Sequence, residues 1–316
     1  MASEDPSGDA KTVDESRDPK PVEAELIDLA DGNELSEQQA LAIEIAVPTR
    51  LIVVAGPAEC GKTTLLISLY ELFQWGQVSG YVFTGSQTLP GFERRCHNSR
   101  IASDRATADT LRTRYEDNEA HYLHLRVSQA EALTNRIDFL FTDLSGESFE
   151  RARDSIEECQ QLSFLLRTEH FMILLDGEKF AQAGKRWAII QEAELLLRSC
   201  LDSNMLGKNT FVEVVLAKYD YLEIAPDRAE LDEIYKRVEE DFRSRFEERV
   251  GRLIFEQIAA RPLPNSQLPF GYGVISMLNR WAGSSPRQRR MQILPSSSRG
   301  KRESDSFFDR HFGSQP

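Results

Sequence analysis

The stretch LIVVAGPAECGKTTLL, residues 51 to 66, constrains this chain more than any other. Its first five residues are apolar and rich in β-branched side chains, as in a strand buried on both faces. From Lys62 onward the pattern changes, and Leu65, Leu66, Leu69, Leu72 and Phe73 form one helical stripe. Between strand and helix lies G-x-x-x-x-G-K-T, from Gly56 to Thr63. Glycines let backbone N–H groups approach a ligand, and the positive end of the following helix points at the same spot. That is a cradle for phosphate oxygens, built from Gly56, Pro57, Ala58, Glu59, Cys60, Gly61, Lys62, Thr63 and Thr64. Lys62 brings a mobile positive charge to the outer phosphates, and Thr63 can hold Mg²⁺. A plain strand–turn–helix corner, its lysine merely reaching solvent, does not need all of these fixed positions and both flanks. Nucleotide binding is the reading they support. Cys60 inside the loop is either a thiol activated near a helix N-terminus or a small apolar side chain packed beneath the loop; the second is the commoner case.

At 316 residues the chain is long enough for a full core, and 41% hydrophobic residues is ordinary for a globular protein. No apolar run approaches the roughly 20 residues of a membrane helix. The N-terminus lacks the basic start and apolar core of a secretory signal. A cytoplasmic chain is expected, with no membrane association. The cysteines, Cys60, Cys96, Cys159 and Cys200, form no CxxC pair and match neither a disulfide framework nor a zinc site. A net charge of -13 argues against nucleic acid as a partner.

Three regions are expected. Residues 1 to 34 carry eleven acidic and three basic residues with few large apolar side chains, and read as disordered. Residues 35 to 283 form the nucleotide-binding domain, its first helix capped by Ser36 with Gln39 reaching back. From 284 to 316 the composition is that of a linker, a disordered tail with seven Lys or Arg against three Asp or Glu. Within the domain, strands at 51–56, 122–127, 137–143, 171–176, 210–218 and 252–260 alternate with helices. One helix is expected over SFERARDSIEECQQLSFLL and another over 227–250. The alternation predicts an α/β fold, a mostly parallel sheet with helices on both faces.

Three further motifs follow strands. DLSGE (143–147) comes after the second full strand beyond the loop, AKYD (217–220) ends TFVEVVLAK, and IAARP (258–262) follows the last strand. With TLPGFERRC and YLHLRV, these make residues 51 to 282 resemble the P-loop GTPases of the translation-factor-related class, closest to the bacterial double-GTPase-type domains. The resemblance implies a Ras-like sheet, GTP or GDP as ligand, Mg²⁺, and a setting in bacterial multigene regulatory or conflict systems. On it, Asp143 holds the metal through water and Gly146 offers a backbone N–H to the terminal phosphate. Glu147 stands where many GTPases carry a water-orienting Gln. AKYD resembles the guanine-reading N/T-K-x-D element: Asp220 accepts from the guanine ring and amino nitrogens, and the Lys218 stem covers the base. The departure is Ala217, where the element has Asn or Thr, so a side chain that ties this loop to the phosphate loop is missing. In IAARP, only Ala260 matches the S-A-K loop that approaches the guanine oxygen.

Residues 75 to 120, 46 in all, exceed a typical loop and suggest a lid or a partner-binding elaboration. A GTPase needs a threonine here to close over Mg²⁺ and the terminal phosphate. Thr113 is the first choice, then Thr110, with Thr107 also open. Arg112 or Arg105 can supply a charge-stabilising arginine in cis, against the commoner role of a solvated surface charge. Asp176, before Gly177 at a strand end, reads as a turn former without chemistry. The leading expectation is a GTP-binding switch with slow Mg²⁺-dependent hydrolysis, in which Lys62, Glu147 and Thr113 act on the phosphates. A protein partner is expected through the insert or the tails. The alternatives are an ATPase of another P-loop class, which has no need of Asp220, and a nucleotide-bound scaffold that barely turns over.

Overall fold

The structure, a computed structural model, describes residues 32–103 and 120–283. Residues 1–31 of the expected acidic segment 1–34, the tail from 284, and Thr107, Thr110, Thr113, Arg105 and Arg112 lie outside the described residues. In chain order come α1 (Glu37–Ala46), β1 (Thr49–Ala55), α2 (Lys62–Gln74), β2 (Tyr81–Gly85), α3 (Leu89–Ser103), β3 (His121–Gln129) and β4 (Ala132–Asp143). Then follow α4 (Gly146–Asp154), α5 (Ile156–Gln161), β5 (His170–Asp176), α6 (Gly177–Ala181) and α7 (Ala183–Asp202). The last elements are β6 (Phe211–Ala217), α8 (Asp220–Glu223), α9 (Arg228–Phe246), β7 (Arg252–Gln257) and α10 (Val274–Gly283).

The strands form one sheet in the order β2-β3-β4-β1-β5-β6-β7. The pairs β4–β1, β1–β5, β5–β6 and β6–β7 are parallel; β3 alone runs against its neighbours β2 and β4. This is the mostly parallel α/β sheet expected. The run LIVVA is buried throughout because it serves two cores. Leu51, Val53 and Ala55 join Phe149, Leu197 and Phe242 on one face, with α4, α7 and α9. Ile52 and Val54 join Leu65, Phe92 and Trp281 on the other, with α2, α3 and α10. Successive side chains on a strand point to opposite faces, so a strand covered twice has no polar side.

The capping box at Ser36 and Gln39 is present as expected. Just before it, Leu35 is buried and exchanges two backbone hydrogen bonds with Tyr122. Some element boundaries differ from the sequence reading. SFERARDSIEECQQLSFLL is not one helix but α4, α5 and a 3₁₀ turn over Ser163–Arg167. Ser155 makes the break: its backbone is extended and its hydroxyl accepts from the Glu158 N–H, an N-cap that competes with helix continuation. The last strand stops at Gln257: Ile258 still donates to Leu216 O, but its carbonyl accepts from the Tyr219 N–H, past the left-handed Lys218 that breaks the regular ladder. The long helix expected to Val250 ends at Phe246. In the segment 75–120, GYVFTG supplies the edge strand β2, and TLPGFERRC lies at the start of α3. Among the described residues no helix is long and apolar enough to cross a membrane.

The parallel strands all end on one side of the sheet, and after laying β4 on one side of β1 the chain crosses over to place β5 on the other. Ligands of open α/β sheets bind at such an edge, where the strand order reverses. The loops after β1, β4, β5, β6 and β7 meet there.

Candidate functional site

The loop after β1 is shaped by three positive φ angles: 149° at Gly56, 65° at Glu59 and 103° at Gly61, the N-cap of α2. A Cβ on Gly56 would lie 2.8 Å from Cys60 Sγ and 3.1 Å from Leu174 O, so no larger residue fits there. Left-handed residues in such a turn aim successive N–H groups into one concavity. Lys62 stands at the first position of α2, and its Nζ donates to Gly56 O at 2.7 Å and Pro57 O at 2.8 Å. The ammonium is therefore held over the loop rather than in solvent. Thr63 and Thr64 follow in the first turn, half-buried. Cys60 is fully buried, and burial pushes its thiol pKa up despite Lys62 nearby. It packs beneath the loop as a small apolar side chain, the commoner of its two readings.

Strand β4, beside β1, ends at Asp143, and the chain re-enters a helix at Gly146. A Cβ on Gly146 would sit 2.6 Å from Ala58 N and 2.9 Å from the Pro57 carbonyl carbon. The start of α4 thus lies backbone to backbone on the phosphate loop, and only glycine permits it. Glu147, the next residue, is exposed in the first turn of α4. Gly146→Ala should force these two backbones apart and destabilise the fold by about 1–3 kcal/mol, the usual cost of overpacking. Urea denaturation measures this, and an unchanged midpoint would show that the contact is not tight.

On the other side of β1, Ala217 ends β6, and its Cβ is 3.9 Å from where a Cβ on Gly61 would stand. The end of β6 therefore abuts the loop after β1 through a methyl group. Lys218 has a φ of 53°, and its Nζ donates to Asp176 Oδ2 at 3.0 Å and Glu178 Oε2 at 3.3 Å. Asp220 is 2% exposed, and its Oδ2 accepts from the Leu263 N–H at 3.0 Å. Burial raises its pKa, although the Leu263 N–H and Lys218 pull the other way. The Tyr219 N–H donates to Ile258 O at 2.9 Å. AKYD and IAARP, some forty residues apart, are thereby stitched together by the parallel pairing of β6 with β7. Ala260 is buried in this second loop, and its carbonyl accepts from the Gly271 N–H. Arg261 pairs with Glu71 of α2 and lies over the Phe270 ring, fixing the loop to the helix that follows the phosphate cradle.

Gly56, Lys62, Gly146, Ala217, Lys218, Asp220 and Ala260 thus lie in the loops and turns gathered at the C-terminal edge of the sheet. Asp176, read from sequence as a turn former without chemistry, joins them, as do Glu178 and Leu263, which the sequence did not single out. The first of these had a signal: in a parallel sheet, every polar residue at a strand's C-terminal end faces the same edge. Among the described residues no group of three or more His, Cys, Asp or Glu side chains could hold a metal ion.

A family model described as Double-GTPase 2 matches residues 50–282. Among solved structures the chain is similar to the Ski7 GTPase-like domain of S. cerevisiae, solved bound to GDP and inorganic phosphate. The identity is 13% and the TM-score 0.44, over 76% of this chain and 50% of that one, so the chain spans about half that structure's length. No curated protein matches.

Proposed function

Because the chain belongs to the Double-GTPase 2 family and so is a GTP-binding protein, we propose that it works as a slow, Mg²⁺-dependent GTP switch read by a protein partner. The observation that carries this reading is the contact of Gly146 with Pro57 and Ala58. A helix whose first residue rests on the phosphate loop will sense which phosphates are there. In this reading the loop from Gly56 to Thr64 holds the phosphates, and Lys62 neutralises the outer ones. Lys218 and Asp220 take the base, with the Ala260 backbone beside it.

Mg²⁺ asks for few protein oxygens, since phosphates and water complete its octahedron. Thr63 and Asp143 suit that demand. They follow β1 and end β4, two neighbouring parallel strands. Thr63 and Asp143 would hold the ion, which would supply positive charge to offset the charge that develops on the phosphates. Thr113 is assigned the closing contact on metal and phosphate. Readout to a partner is assigned to the segment 75–120 or to the tails, in the regulatory setting of a bacterial multigene system.

Slow turnover follows from Glu147. An ionised carboxylate only accepts hydrogen bonds, whereas glutamine both accepts from water and donates to the phosphoryl group. A carboxylate is also repelled by the triphosphate until the site reorganises. Intrinsic hydrolysis of roughly 10⁻⁴ to 10⁻² per second is expected, the scale of unassisted GTPases. The test is a single-turnover rate at saturating Mg²⁺ for wild type, Glu147→Gln and Glu147→Ala. Glu147→Gln should keep or raise the rate, and Glu147→Ala should leave GTP affinity nearly unchanged. Fast wild-type hydrolysis that collapses in both variants would make Glu147 a committed catalytic base instead.

A further inference from the structure

Asp176 ends β5 and lies in register beside Ala217 at the end of β6. It is 1% exposed, yet both of its oxygens are engaged. Oδ1 accepts from the Glu178 N–H at 3.0 Å and caps α6; Oδ2 accepts from Lys218 Nζ at 3.0 Å. Glu178 accepts from the same ammonium at 3.3 Å. Burial lowers the pKa of Lys218, but the two carboxylates more than reverse this and hold it above the usual lysine value.

The backbone makes a second attachment. A Cβ on Gly177 would lie 2.4 Å from Ala217 O and 2.5 Å from Lys218 O, so the start of α6 presses directly on the AKYD loop. Lys218 itself sits in the left-handed region, a conformation a long side chain adopts only when its surroundings impose it. Ala217 cannot impose it, because its methyl group makes no hydrogen bond. Tyr219 and Asp220 are tied to Ile258 and Leu263, but what holds the Lys218 side chain comes from the end of the neighbouring strand β5 and the start of α6.

We propose that Asp176 is the positioning residue for base recognition, fixing Lys218 so that its stem covers the base while Asp220 meets the base edge. It supplies the tie that Ala217 lacks, from β5 rather than from the base loop itself. The inference rests on the guanine reading given above. It adds a specificity-determining residue that the base motif does not contain.

The experiment titrates the full chain, stripped of nucleotide, with GTP, ATP and inorganic tripolyphosphate. The variants are Asp176→Asn, Asp176→Ser, Lys218→Met and the double Asp176→Asn/Lys218→Met. Asparagine and serine both keep an oxygen for the Glu178 N–H, so the cap of α6 is retained in either, and serine carries the test if the asparagine variant fails to fold. Each Asp176 variant should weaken GTP binding about tenfold, as expected for losing a charge-assisted hydrogen bond. Tripolyphosphate, which has no base, should bind as before. In the Lys218→Met background, Asp176→Asn should cost less than about twofold more, since residues acting through one contact are not additive. An unchanged GTP affinity, an equal loss of tripolyphosphate binding, or additive losses in the double variant would overturn the positioning role. If wild type prefers GTP and the Asp176 variants keep that affinity, this inference falls and the guanine reading stands. If wild type binds GTP and ATP alike, the guanine reading fails and takes this inference with it.

Discussion

Lys62→Ala is expected to weaken GTP binding by about a hundredfold or more while leaving the fold intact. A hydrogen bond to a charged group contributes about 1.5–3 kcal/mol, and an ammonium over the outer phosphates makes about two of them. The fold should lose little. Lys62 is half-exposed, and its partners are two neutral carbonyls of its own loop, Gly56 O and Pro57 O, which water can serve. Alanine is also favourable at a helix start in which no other contact depends on the side chain. Calorimetric titration beside a melting curve separates the two effects. A folded Lys62→Ala protein that binds GTP as tightly as wild type would mean that the phosphates sit elsewhere.

Asp220→Asn is expected to invert base preference, from GTP toward xanthosine triphosphate, by about tenfold or more. Guanine presents two donors to a carboxylate; xanthine replaces one with a carbonyl, which asparagine can meet with its N–H₂. A mismatched buried partner costs about 1–3 kcal/mol, which sets the size of the shift. The Leu263 N–H can remain on the asparagine oxygen, so the two loops should stay joined. The pH behaviour has two signs. Burial raises the Asp220 pKa on folding, so this residue favours the folded state below the unfolded-chain value. That contribution is lost as pH rises through the folded value, and at neutral pH the ionised carboxylate costs stability. Asp220→Asn should therefore melt no lower than wild type near pH 7. GTP affinity runs the other way, weakening on acidification through the same pKa as one acceptor becomes a donor. Affinity and melting temperature measured across acidic to neutral pH test both; a variant that loses stability at neutral pH contradicts the burial argument.

The features most legible in the sequence were those with strong local causes. The LIVVA strand, the glycine loop and the leucine stripe of α2 each follow from one periodicity or one backbone requirement. The cap at Ser36 needed only two residues, three apart. Ser155 carried its signal too, but a serine inside a charged helical pattern looks like a surface residue until its hydroxyl is seen to cap α5. The edge strand β2 has weak alternation and half-buried side chains, so burial could not announce it. In the site, residues tied to a motif were readable, whereas those tied to topology were not. Asp176 and Leu263 reach Lys218 and Asp220 only because β5, β6 and β7 are neighbours, a fact of sheet order that no spacing along the chain contains. The sequence assigns Gly146 to a phosphate; in the structure the space a Cβ would need there is already taken by the backbone at Ala58 N.

The edge formed by Gly56–Thr64, Lys218 and Asp220 is expected to select guanine nucleotide. The most direct test is a competition titration of the nucleotide-stripped full chain with GTP and ATP in the presence of Mg²⁺. GTP should bind at least about tenfold more tightly than ATP, the discrimination that one well-matched buried carboxylate supplies. Equal affinities, or a preference for ATP, would contradict it.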